Sequence, residues 1–142
     1  MATNRVTIEI LNVRFDLSRH EPYAYIGRPM PGRAGSALGN YHPRELRTRQ
    51  DHVAWFAATF EDRLAASPAM QQELAHLVSQ AVQNGRVALA CWCAPRSCHG
   101  ETIARAMQMR LQEIGITATI NIQGLNDASL DLFSQPESRL EH

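Results

Sequence analysis

Four segments of the chain carry the polar–apolar rhythm of strands and three carry that of helices. Residues 5–14, RVTIEILNVR, set Val6, Ile8 and Ile10 against Thr7 and Glu9, a period of two that predicts a strand with one buried face. The short run YAYIG at 23–27 predicts a second strand, and the continuous apolar run RVALACW at 86–92 predicts a central one, covered on both sides. ITATINI at 116–122 predicts a fourth.

From Arg44 to Ala66, Val53, Phe56, Ala57, Phe60 and Leu64 recur at helical spacing. Ser67-Pro68 then supplies a helix cap followed by proline at the first helical position, and Asn84-Gly85 supplies a stop. Met70, Leu74, Leu77, Val78 and Ala81 form the apolar stripe between them. A third helix is predicted from about His99, with Ile103, Ala106, Met107, Leu111 and Ile114 as its buried stripe and Gly115 as its stop. Strand, helix and strand in this order make a βαβ unit, whose crossover is right-handed in nearly all cases and so leaves its strands parallel. The fold class is therefore α/β, with a mostly parallel sheet of about four strands.

Between the second strand and the first helix lies RPMPGRAGSALGNYHP, rich in Gly and Pro and longer than a plain connection needs. Segments of this kind are more often binding elements than spacers. Beyond residue 125 the chain turns polar, so one α/β domain over 1–125 and a C-terminal tail over 126–142 are expected, the tail ending in residues that resemble a tag scar.

With 142 residues the chain is long enough for one core. It has no apolar run of membrane-spanning length, and its start lacks the pattern of an export signal, so a cytoplasmic protein without a membrane partner is expected. The formal net charge is zero, which argues against a nucleic-acid partner recruited by bulk charge. The distribution is less even. All 14 basic residues are Arg, and Arg28, Arg33, Arg44, Arg47 and Arg49 crowd a stretch in which Glu45 is the only acid.

The three cysteines fall within CWCAPRSCHG, too close together to staple distant parts of a fold. Strand pleat puts Cys91 and Cys93 on one face, where packing is the plainer role, while Cys98 and His99 open the following helix at the end of a strand. Ligands of parallel sheets sit there, where helix N-termini aim free N–H groups outward.

Three readings of the segment compete. Cys91, Cys93, Cys98 and His99 are a chemically complete zinc set, although their spacing departs from the usual paired knuckles. Cys98, with the helix dipole, Arg96 and His99 beside it, has what a thiolate nucleophile needs. Alternatively the helix start, His99, Gly100 and Arg96 cradle an anion. Gly27 and Arg28 lie at the end of another strand, and if the two strands are parallel neighbours they share one pocket with this segment, with Asn40 and His42 on the loop above. The expectation is a small anionic ligand, phosphate or nucleotide-like, with no cofactor; Cys98 and His99 are the residues for any transferase or hydrolase chemistry. The alternative is a non-catalytic binding domain with a Cys3His zinc site.

ILNVR, YIGRP with a following LGN, and LACWCAPRSCHGETIA together resemble the family known as domain of unknown function 4326, from about Asn12 to Met107. That family shows a Cys-x-Cys-x-Pro-x-x-Cys-His-Gly pattern, filled here by Cys91, Cys93, Pro95, Cys98, His99 and Gly100. The resemblance implies a small Rossmann-like, three-layer α/β domain and supports a site at these residues.

Overall fold

The computed structural model describes residues 4–14, 17–92 and 98–123. In chain order they form β1 (Arg5–Asn12), a 3₁₀ turn (Leu17–His20), β2 (Tyr23–Tyr25), α1 (Arg49–Ala66), α2 (Pro68–Asn84), β3 (Arg86–Cys91), α3 (His99–Glu113) and β4 (Thr117–Ile122). The four strands make one sheet in the order β2-β3-β1-β4, and every neighbouring pair is parallel. The fold is a small three-layer α/β domain.

The order of strands explains the layers. The steps from β2 to β3 and from β3 to β4 run the same way across the sheet, so right-handed crossovers put α1, α2 and α3 on one face. The step from β1 to β2 runs the other way and carries the 3₁₀ turn to the opposite face. The core divides accordingly. Val6, Ile8, Ile10, Val87 and Leu89 meet Phe56, Phe60, Leu74, Leu77, Ile103 and Met107 of the helices. Leu11, Ala88 and Ala90, of opposite pleat, meet Val13 and Leu17. The third layer is thin, which is why Ala suffices on that side of β3.

Local chemistry sets the helix ends. Ser67 caps α2 by accepting from the Met70 amide, Pro68 opens it, and Gly85 closes it at φ 76°. At the end of α3 the amides of Gly115 and Ile116 return to the carbonyls of Gln112 and Leu111 at 3.0 and 2.9 Å, with Gly115 at φ 84°.

Four expectations need correction. The first helix begins at Arg49, not Arg44, because Thr48 takes the Asp51 amide as its cap. Ala57 is exposed, since the helix turns Phe56 and Phe60 inward and Ala57 out. Ile114, in the cap beyond the last turn of α3, is 63% exposed and not core. The strands β1, β2 and β3 stop at Asn12, Tyr25 and Cys91, one or two residues short of the expected ends; at Asn12 the side chain turns the chain by accepting from the Arg14 amide at 2.9 Å. Among the described residues no helix is long and apolar enough to cross a membrane. The expected tail, 126–142, lies outside the described residues.

Candidate functional site

A cleft of about 770 Å³ opens at the carboxyl ends of β2 and β3. It has three walls: Tyr25 to Met30 after β2, Asn40 to His42 with the first turn of α1, and Cys91, Trp92 and His99 from the β3–α3 side. Parallel sheets place ligands here because strand ends and helix starts converge on one edge.

The first wall is built by close backbone approach. The Tyr25 hydroxyl donates to the Arg28 carbonyl at 2.7 Å, folding the chain back over Gly27. A side chain at Gly27 would bring a Cβ within 2.4 Å of that hydroxyl, so glycine is required by space. The Gly27 carbonyl accepts from the Ser36 amide at 2.9 Å, pulling the far end of the loop inward. There Glu73 of α2 ties the loop down: one carboxylate oxygen accepts from the Ser36 hydroxyl, the other from the Ala37 amide at 3.0 Å. The Tyr41 hydroxyl donates to the Ser36 carbonyl at 2.9 Å.

Asn40 donates from Nδ2 to the His52 carbonyl at 3.0 Å, joining loop to helix. His42 and His52 stack face to face, ring centroids 3.5 Å apart and planes within 8°. His52 gives its Nε2 proton to the Leu46 carbonyl at 2.6 Å and His42 its Nδ1 proton to the Pro43 carbonyl at 3.0 Å. Arg49, one turn before Val53, completes this wall.

On the third wall, His99 donates from Nε2 to the Ile26 carbonyl at 2.7 Å and lies edge-on to Phe56, its centroid 5.0 Å away. Cys91 and Cys98 approach to 3.4 Å between sulfurs, a non-covalent contact, and both are 1% exposed. Cys98 also caps α3, its sulfur accepting from the Gly100 amide at 3.2 Å. Trp92 donates from Nε1 to the Met30 sulfur at 2.9 Å, and its carbonyl accepts from Asn12 Nδ2 at 3.0 Å.

Arg28 and Arg49 give the cleft its positive charge, and three histidines, His42, His52 and His99, stand beside them. None of its described lining residues is Asp or Glu. The Tyr41 phenol is held above its ordinary pKa, first by burial and next by Glu73; Arg28 pulls the other way and Tyr25 pushes up. Tyr41 is therefore a neutral donor at physiological pH. Among the described residues no group of three or more His, Cys, Asp or Glu is arranged to hold a metal ion.

Of the residues singled out in the sequence, Gly27, Arg28, Asn40, His42, Cys91 and His99 meet at this cleft. Cys98 does not line it, and Gly100 is buried beneath it, where an added Cβ would come within 3.2 Å of the Cys98 sulfur and Ile26. Thus the strand cysteine, Cys91, packs in the core while bordering the cleft, and the helix-opening Cys98 is buried in the same core without lining it. Cys93 and Arg96 lie outside the described residues. His52 was not singled out; its signal is the i, i+3 spacing from Arg49, visible once the helix is started after Thr48.

A small parallel α/β domain with a cationic cleft at its strand ends is thereby defined. The chain belongs to the family described as Domain of unknown function (DUF4326), whose model matches residues 13–109, a span that contains every described lining residue of the cleft. Neither the search of curated proteins nor that of solved structures finds a match.

Proposed function

We propose that this domain binds a small anionic, phosphate-bearing ligand in the cleft at the ends of β2 and β3. The observation that carries the reading is the lining without a carboxylate: two Arg guanidinium groups beside three His imidazoles, with no Asp or Glu among the described lining residues. Two guanidinium groups bordering one cleft attract an anion into it. The first turns of α1 and α3 both border the cleft and add the positive ends of their dipoles. Arg28 and Arg49 supply planar donors suited to phosphate oxygens.

Nucleophilic chemistry by Cys98 asks for a sulfur that reaches the ligand, and this one is buried against Cys91 and engaged as a helix cap. His99 holds the Ile26 carbonyl with one ring nitrogen, so its first task is positional. The reading is therefore for binding rather than for a stated reaction. The test is a titration with inorganic phosphate and ribose 5-phosphate, following the backbone amides of Arg28, Arg49 and His99. Shifts at all three that weaken with salt support the reading; no shift with either compound removes it.

A second reading rests on a separate observation, the 3.4 Å between the Cys91 and Cys98 sulfurs. Two thiolates on one zinc lie roughly 3.8 Å apart, from metal–sulfur distances of about 2.3 Å in a tetrahedron. Cys91, Cys98 and His99 are not arranged together as a metal-holding group, so the remaining ligands would have to include Cys93, outside the described residues. One zinc per chain on purification, with a melting temperature that drops on chelation, supports it; metal-free protein with an unchanged melt removes it.

A further inference from the structure

We propose that the uncharged half of the ligand is a planar nucleobase lying on the Trp92 indole, so that the ligand is a free nucleotide rather than inorganic phosphate or a sugar phosphate. This rests on the phosphate reading above and narrows it. A cleft of about 770 Å³ is far larger than a phosphate group needs, and the cations account for only part of its lining.

Tyr25, Tyr41 and Trp92 add aromatic surface to the rest of the lining. Trp92 and Tyr41 are 47% and 48% exposed, and both face the cleft. Large apolar side chains left open at a cationic cleft mark contact surface.

Trp92 is the platform because it is held in place. Its indole N–H is committed to the Met30 sulfur and its backbone carbonyl to Asn12, a residue only 7% exposed. With the polar edge of the ring engaged, its π face is the surface left to offer. A pre-set ring stacks on a base without the cost of ordering it at binding. Tyr41 is held likewise through its hydroxyl, but Gly39 lies against its ring, at 3.0 Å from the position of an added Cβ. The cations of the two other walls then take the phosphate. A zero net charge favours a free nucleotide over a nucleic-acid strand, which would draw on basic surface beyond the cleft.

The test uses the full chain and four probes: AMP, ribose 5-phosphate, inorganic phosphate and a single-stranded oligoadenylate. The chain has two tryptophans, and Trp55 stands apart under the Arg63 guanidinium, so Trp55→Phe leaves Trp92 as the reporter. The expected result is quenching of Trp92 by AMP, affinity for AMP at least about tenfold above that for ribose 5-phosphate, and no quenching by the latter. Trp92→Leu is expected to bring AMP down to the level of ribose 5-phosphate measured on the same variant. Should either variant fold poorly, the indole N–H resonances of the unaltered protein give the same answer. Equal binding of AMP and ribose 5-phosphate with a silent Trp92 overturns the base platform and leaves the phosphate reading standing. Binding of none of the probes fells the phosphate reading itself. Oligoadenylate binding tenfold tighter than AMP overturns the free nucleotide in favour of a strand.

Discussion

His99 and Ile26 stand 73 positions apart in the chain and are joined by a 2.7 Å hydrogen bond, from the imidazole Nε2 to the buried carbonyl at the end of β2. The bond locks the start of α3 to the loop that carries Arg28, so it sets the width of the cleft. Replacing His99 by Ala leaves a buried acceptor without its donor and a void beside Phe56. The expected loss is about 2–4 kcal/mol in urea unfolding. His99→Gln, which keeps an N–H at similar reach, is expected to recover part of it. Equal losses in the two variants would mean that ring packing on Phe56, not the hydrogen bond, is what the site needs.

Gly27→Ala tests the close approach on the neighbouring wall. The new methyl would lie 2.4 Å from the Tyr25 hydroxyl and 2.6 Å from the ring carbon that bears it, so the phenol must leave the Arg28 carbonyl. A loss of about 1–3 kcal/mol is expected. With Tyr25→Ala already present, the same change is expected to cost much less, because the colliding ring is gone. A double-mutant cycle from denaturant midpoints measures the difference.

The tether from Glu73 to Ser36 and Ala37 predicts a more local effect. Glu73→Ala removes a carboxylate that takes two donors from the loop and leaves the Ala37 amide without it. The expected cost is about 1.5–3 kcal/mol. Amide hydrogen exchange is expected to speed up at Ala37 and Leu38 before it does in the strands. Uniform acceleration across the sheet would show that the tether serves the whole fold instead.

The elements most legible in the sequence are those whose ends are written in local chemistry. Ser67-Pro68 and Asn84-Gly85 bound α2 to the residue, and the period of two in β1 assigns Ile8 and Ile10 to the helix-covered face. The start of α1 was harder, because Arg44 to Arg47 carry neither a stop nor an apolar period and only the Thr48–Asp51 bond marks the turn. Cys91 and Cys98 show the other limit. Pleat and helix start locate them along the chain, but that their sulfurs come to 3.4 Å of each other within the core is a long-range packing outcome.

Tyr41 offers a pH test of the site. Its phenol is raised above the ordinary value of 10.0, chiefly by burial and then by Glu73, against the opposing pull of Arg28. The folded state thus holds the phenolic proton more tightly than the unfolded state does. The resulting stability is fully present below pH 10 and is lost as pH climbs through the folded value. Tyr41→Phe has no proton to lose there, so its alkaline loss of stability is expected to be shallower than that of the unaltered protein. Arg28→Ala removes the one downward pull and is expected to move the phenol's ultraviolet titration to still higher pH. A phosphate-bearing ligand between the cations should do the same, since its negative charge opposes a phenolate beside it. Saturating phosphate that leaves the Tyr41 titration where it was would place the anion away from this wall of the cleft.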